Sequence, residues 1–318
     1  MADTLFTHGP ANVTTLLTTT LENRRKDLQD AIFNDLRTIK FLRDKGQVMI
    51  DGGASIITPL MYGKNTTAQA YHGYDQLDTT PQEGFTTAQY KWKEYAVSIS
   101  VSNREENIQN SGSSAVLNLV QSKIKQATMS LKDVLNTALY AAAPGTNDLT
   151  SLATLVLGSG TIGDINSGTY SWWQSDVDAS GSFAAQGRSD MLTLYNALLT
   201  AGDAPDFIVT TPTVHAYYEG SLIPQQRYQG SGGVGDASFG ELKFKTIPVL
   251  MDVAATAGVM YFLNSKNLEF YISSGNDMRM TEWVKPANQT AKVAQVIIAA
   301  ELATNNRRRL GKLTGITA

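Results

Sequence analysis

Between Gly112 and Pro144 the chain runs without a glycine or proline, and apolar residues recur through this stretch at helical intervals. Val116, Val120, Ile124, Ala127, Leu131, Val134 and Ala138 are three or four residues apart, and Leu117, Leu135 and Leu139 widen the stripe. The spacing predicts one helix over 113–140, opened by the serines after Gly112 and closed before Pro144-Gly145. Such a helix spans on the order of 40 Å, longer than is usual in a globular domain. Lys123, Lys125, Lys132 and Asp133 lie off the stripe and are expected to be wet. A helix of this length is either the core of an ordinary domain or a spine on which separate sheets are laid. Its flanks have to decide.

With 318 residues, the chain is long enough for one large or two medium domains and needs no covalent staples. It has no cysteine, which removes disulfides, thiolate metal sites and thiol nucleophiles together. A net charge of -3 argues against nucleic-acid binding by the whole surface. Charged residues make up 17%, below the roughly 25% usual for a soluble domain, which fits a surface that becomes interface. No apolar run approaches the roughly 18 residues of a membrane span, and the first residues lack the pattern of a signal peptide.

The opening 15 residues are polar and are expected to form an arm. From Thr20 to Lys45 an amphipathic helix is expected, with Leu21, Leu28, Ile32, Leu36 and Ile39 on one face. After the Asp51-Gly52-Gly53 turn, the strand-like SIITPLMYG stops at Gly63. The segment from Lys64 to Ala88 has neither period and carries Tyr71, Tyr74 and Phe85. The following strand alternates Val97, Ile99 and Val101 with serines. An irregular excursion of this length suits a two-stranded arm lying on something else, most simply another subunit. Beyond the long helix come a Gly- and Ser-rich tract with strand-like TLVL and Trp172-Trp173, and a helix over 190–201. Next are a strand at DFIVTT, a helix capped by Thr211-Pro212, a Gly230–Gly240 loop, three short strands, and a return strand over 292–302. An αβ region placed between the spine and a returning strand implies two discontinuous domains.

No catalytic constellation stands out. Gly158, Gly160 and Gly163 have the dinucleotide-binding spacing, on which a soluble oxidoreductase could be built, but DINSGTYSWW follows where a helix should open. His72, Asp75 and Asp78 could gather round a metal, yet sit in the irregular segment, and His215 reads as a hydrogen-bonded core imidazole. Trp172 and Trp173 could stack a base or sugar, and more simply anchor a loop. Arg307, Arg308 and Arg309 are the strongest basic cluster, suited either to phosphates and a neighbour's carboxylates or to a solvated end of the chain. This absence of chemistry shifts weight toward a structural protein.

The order and spacing of several stretches carry a resemblance. They are the Asp51-Gly52 turn with the strand to Tyr62, the aromatic segment through Tyr74, YKWKEYAVSISVS, the long helix, GTYSWW, TIPVLMD, YFLN and RRRLGKLTGI. After the first 15 residues, nearly the whole chain resembles the major capsid proteins of tailed bacteriophages with the Hong Kong 97-type fold. The resemblance implies an α+β architecture: an N-terminal arm and helix over 1–50 and an extended β-hairpin loop over 51–96. A peripheral domain with the spine helix covers 97–144 and 286–318, and an axial domain covers 145–285. It implies no enzyme and no cofactor, but self-assembly as pentamers and hexamers into an icosahedral shell enclosing double-stranded DNA by non-specific contact. Partners would be further copies, a portal, and scaffolding or decoration proteins where members use them. The location would be the virion capsid, assembled in the host cytoplasm, with no membrane contact. Lys64, Tyr71, Tyr74 and Phe85 in the loop, with Arg307, Arg308 and Arg309, become candidate interface residues. Some members cross-link a loop lysine; Lys64 is the one lysine well out in this loop, and the sequence supplies no partner for it. The alternative on the same fold is an encapsulin-like protein compartment.

Overall fold

The computed structural model describes residues 37–105, 119–199, 202–226 and 242–318. The expected N-terminal arm, the first part of the helix over 20–45, the opening of the long helix and the Gly230–Gly240 loop lie outside these residues. The chain divides into two compact units. Of the described residues, 96–105, 119–132 and 278–297 belong to one, and 37–95, 133–199, 202–226, 242–277 and 298–318 to the other.

The larger unit begins with helix α1 (Arg37–Asp44), which buries Thr38, Ile39 and Leu42 and leaves its basic residues exposed. Strands β1 (Val48–Asp51), β2 (Ile56–Met61) and β3 (Phe85–Tyr90) follow, and then β4 (Lys93–Ser102). The long helix α2 (Leu119–Tyr140) buries Ala127, Leu131, Leu135, Ala138 and Leu139. Val134, expected on the stripe, is exposed instead. Steps of four drift round a helix of 3.6 residues per turn, so the seam passes to Leu135 and Leu139. Of the residues expected to be wet, Lys125 and Lys132 are exposed, whereas Lys123 and Asp133 are half-buried.

Of TLVL, read as strand-like, Thr154 and Leu155 end a short helix α3 (Leu152–Leu155), which Ser151 caps by accepting from Thr154 N, and Val156 and Leu157 follow it. The short strands β5 (Thr161–Ile162) and β6 (Ile165–Asn166) pair as a hairpin, and Ser171–Trp173 makes a 3-10 turn. The remainder is β7 (Asp176–Ala179), α4 (Arg188–Leu198), β8 (Phe207–Thr210), α5 (Pro212–Gln226), β9 (Lys243–Phe244), β10 (Ile247–Met251), β11 (Met260–Leu263), β12 (Leu268–Ser273), β13 (Arg279–Met280), β14 (Ala291–Thr304) and β15 (Gly311–Thr314).

A six-stranded sheet in the order β7-β15-β11-β8-β10-β9 forms the body of the larger unit. Its central strands FIVT and MYFL are buried at every residue, as strands covered on both faces must be. Leu194, Leu198, Val214, Tyr218, Phe244, Phe262 and Leu313 form its core with α4 and α5. The last strand, β15, inserts between β11 and β7, so the C-terminal segment is structural. In the same unit β1 runs parallel to β12, which pairs antiparallel with residues 300–304 of β14.

In the smaller unit, the first part of β14 pairs with β13, Arg279 opposite Ile297, and with β4. Asn103 N donates to Thr290 O at 2.8 Å. Lys123 forms a salt bridge with Glu105 at 3.0 Å and donates to Ser100 O at 2.9 Å.

Candidate assembly surface

The β2–β3 hairpin has two faces because a strand sends alternate side chains to opposite sides. Ile56, Thr58 and Leu60 point inward, as do Ala88 and Tyr90. Ile56, Leu60, Ala88 and Tyr90 pack with Ile165, Trp173 and Ala303. The Tyr90 hydroxyl donates to Thr304 O at 2.9 Å. The hairpin's root is therefore core. Its outer face carries Ile57, Met61 and Phe85 at 60%, 76% and 79% exposure, with Met61 directly opposite Phe85.

Beyond the strands, residues 64–83 extend without regular structure, and nearly all are exposed. Local polar bonds shape this loop. Thr67 N donates to Asn65 Oδ1 at 2.9 Å, His72 N to Asp75 Oδ2 at 2.8 Å and Thr80 N to Asp78 Oδ1 at 2.9 Å. The Thr80 hydroxyl and N–H hold the Asp78 carboxyl below its ordinary range. Thr66 reaches across to Gln82 at 2.8 Å. Tyr71, Tyr74 and Leu77 stand in solvent. Together with Ile57, Met61 and Phe85 they leave a concentration of large apolar groups on one projecting element. Such a concentration marks an interaction surface.

The structure places the candidate residues in two settings. Lys64, Tyr71, Tyr74 and Phe85 all sit on this exposed arm. The three arginines do not act together. Arg307 is fully buried, donating to the carbonyls of Leu155 at 2.9 Å and Leu157 at 2.7 Å. Burial lowers its pKa to about 10. Arg309 is half-buried and pairs with Asp203. Only Arg308 faces solvent.

The possible chemical sites dissolve in the same way. Gly158, Gly160 and Gly163 precede and form the β5–β6 hairpin, with no helix opening after them. No group of three His, Asp or Glu that could hold a metal occurs among the described residues. His215 lies half-buried on α5, its backbone N–H making the helical bond to Thr211 O. Trp173 is buried and donates through Nε1 to Ile162 O at 2.9 Å, so it anchors its loop. A cleft of about 430 Å³ is lined by Phe41, Tyr195, Asp203, Asp206 and Lys266 among others. Its carboxylates are already engaged, Asp203 by Arg309 and Lys266 and Asp206 by Ser265. No described helix is long and apolar enough to cross a membrane.

Two buried polar centres escaped sequence reasoning. Asp252 accepts from Asn136 Nδ2 at 3.1 Å, Ala254 N at 3.0 Å and the Tyr140 hydroxyl at 3.3 Å. Burial, with Asp252 beside it, holds the Tyr140 pKa well above its ordinary value. Glu301, buried on β14, accepts from Thr150 N at 2.7 Å and Leu302 N at 3.0 Å. Burial pushes its carboxyl up to about 7, against these N–H groups and the Lys93 charge, which hold it down. Around it lie Lys93, which donates to Thr146 O at 2.6 Å, and Tyr95, whose hydroxyl accepts from Leu149 N at 2.8 Å.

No family model matches the chain, and no curated protein does. Solved structures do. A cyanophage A-1(L) capsid subunit superposes with a TM-score of 0.68 at 15% identity, covering 95% of this chain and 98% of that one. A structure from Mycobacterium phage Bobi gives 0.62 at 10% identity, over 98% of this chain and all of the other. A holo encapsulin complex from Synechococcus elongatus gives 0.56 at 9% identity, over 91% and 92%. The chain thus has, over nearly its full length, the mixed α+β fold of these phage capsid proteins, a fold the encapsulin shares.

Proposed function

We propose that this chain is the major capsid protein of a tailed bacteriophage, assembling as pentamers and hexamers into an icosahedral shell around double-stranded DNA. The observation that carries the reading is the projecting arm, whose outer face and tip expose Ile57, Met61, Tyr71, Tyr74, Leu77 and Phe85 while its root is locked into the core. A monomer has no use for such an element, but a neighbouring copy covering it would bury this surface at each contact. A contact in which one face of a subunit meets a different face of the next generates rings when the rotation closes. The resemblance to Hong Kong 97-type subunits supports assigning 51–96 to the loop that lies over an adjacent subunit. It likewise supports assigning 97–144 with 286–318 to a peripheral domain and 145–285 to an axial domain. Lys64 belongs to the same interface, and Arg308 is the one member of its cluster available to phosphate or to a neighbour.

Electron microscopy of the purified protein, with light scattering on the same sample, tests this. Shells, or rings of five or six subunits, are the expected result. A monodisperse monomer at every salt and protein concentration would overturn it. The likeness to an encapsulin favours one competing reading, a compartment enclosing protein. Nucleic acid inside the particles, measured by absorbance ratio and nuclease-protected content, selects the virus shell.

A further inference from the structure

The Gly-rich tract that imitates a dinucleotide-binding motif has a different use. We propose that residues 160–173 form a saddle that fixes the direction in which the β2–β3 arm leaves the body, with Gly163 and Trp172 as its positioning residues. This rests on the assembly role proposed for the arm.

Two contacts define the saddle. At the root of the arm, the β5–β6 turn presses its backbone against β3. Gln89 N donates to Gly163 O at 3.0 Å. Gly163 has φ +60°, and a Cβ there would lie 2.8 Å from Ala88 Cβ and 3.2 Å from the Tyr90 ring. Only glycine permits both that conformation and that approach. At the neck of the arm, where the strands give way to the loop, Tyr62 stacks on Trp172 with ring centroids 5.1 Å apart and planes 13° apart. Tyr170 and Trp173 support Trp172 from the sides, at 6.1 Å and 5.6 Å. The tract is itself braced. Ser167 N and Oγ both donate to Gly160 O, Gln174 Nε2 donates to Ser167 O at 2.9 Å, and buried Trp173 is tied to Ile162 O.

An isolated two-stranded hairpin is marginal and free to swing. Holding this one at both root and neck converts it into a lever of fixed pitch. Rings of five and of six subunits require neighbours at defined angles, so the pitch of the arm bears on which assemblies close.

The chain has no cysteine, so spin labels can be placed at will. Labels at Glu83→Cys, just beyond the neck, and Thr193→Cys, on the exposed side of α4, report the arm's direction in unassembled subunits by pulsed dipolar spectroscopy. A single narrow distance distribution is expected in the parent. Broadening is expected in Trp172→Ala and Gly163→Val, and its absence in Trp172→Phe, which keeps a ring to stack. Tyr62→Ala removes the same stack from a partly exposed position, so it separates loss of direction from loss of folding. Label-free Tyr62→Ala and Trp172→Ala are then expected to give fewer or misshapen particles by microscopy. An unchanged distribution in Tyr62→Ala and Trp172→Ala overturns the saddle and leaves the capsid reading untouched. A broadened distribution with normal shells overturns its role in assembly. If the parent forms no particles at all, the capsid reading fails, and the distance distributions still decide whether the tract directs the arm.

Discussion

Replacing Glu301 by Gln should remove a fall in stability between about pH 4.5 and pH 7. The folded protein holds this carboxyl in a buried site and raises its pKa from 4.5 to about 7. Ionising it therefore costs more in the folded state than in the unfolded chain. The stability it contributes is full below pH 4.5, declines as pH rises through 7, and is level above that. At about 1.4 kcal/mol per pH unit, the rise corresponds to a ceiling of ~3 kcal/mol. Glutamine keeps an oxygen to accept from Thr150 N and Leu302 N but carries no charge to desolvate. Its amide adds two donors that need partners, so the absolute stability of the variant is a poor readout. The difference between parent and variant across pH is a better one, because every other titrating group cancels. Lys93, Tyr90, Tyr95 and the cross-strand Tyr271 face the site and are common to both proteins. Denaturant unfolding of unassembled subunits at intervals from pH 4 to pH 8 gives the curves. The variant should gain on the parent through pH 4.5 to 7 and stay level afterwards. Parallel curves over that window would refute the argument that desolvation governs Glu301.

Three further outcomes are expected. Excising 64–83 should leave a folded subunit by circular dichroism and abolish particles in the microscope; β3 must stay, since it buries Ala88 and Tyr90. Ile124→Pro, in the second turn of α2 as described, should cost ~3 kcal/mol or more by removing a helical hydrogen bond and clashing with the preceding turn, read as a lowered denaturation midpoint. Asp252→Ala should cost ~1–3 kcal/mol for each buried donor it strands among Asn136, Tyr140 and the Ala254 N–H, and Asp252→Asn should recover part of the loss. A midpoint of Asp252→Ala within error of the parent would show that those donors find water instead.

Much of the fold was legible because burial writes period into sequence. The α2 helix follows from its helical period, and β8, β10, β11, β12 and β14 from short runs rich in apolar and β-branched residues. The failures have local causes. TLVL has the composition of a strand, but Ser151 supplies a cap and the chain bends into a helix of four residues. Val134 fits the apolar stripe, yet steps of four carry the seam past it. The pairing of β1 with β12, and the insertion of β15 between β11 and β7, join residues far apart in sequence, and no local pattern records such partners.

The candidate surface was legible for a different reason. Tyr71, Tyr74 and Phe85 stood out because aromatic residues in a segment of neither period have no core to enter. Ile57 and Met61 stayed hidden because SIITPLMYG reads as strand-like without an apolar-polar alternation to tell its two faces apart, whereas in the structure Ile56, Thr58 and Leu60 are the buried ones. Pairing with β3 alone leaves the hairpin two strands wide, so one face is necessarily uncovered in a single chain. Arg307 shows the same limit. Three consecutive arginines look like one basic patch, but in a 3-10 turn their side chains diverge: one enters the core to cap the carbonyls of Leu155 and Leu157, one meets Asp203 and one meets solvent. Sequence gave the charge of that cluster; only the turn decides which of its members a partner can touch.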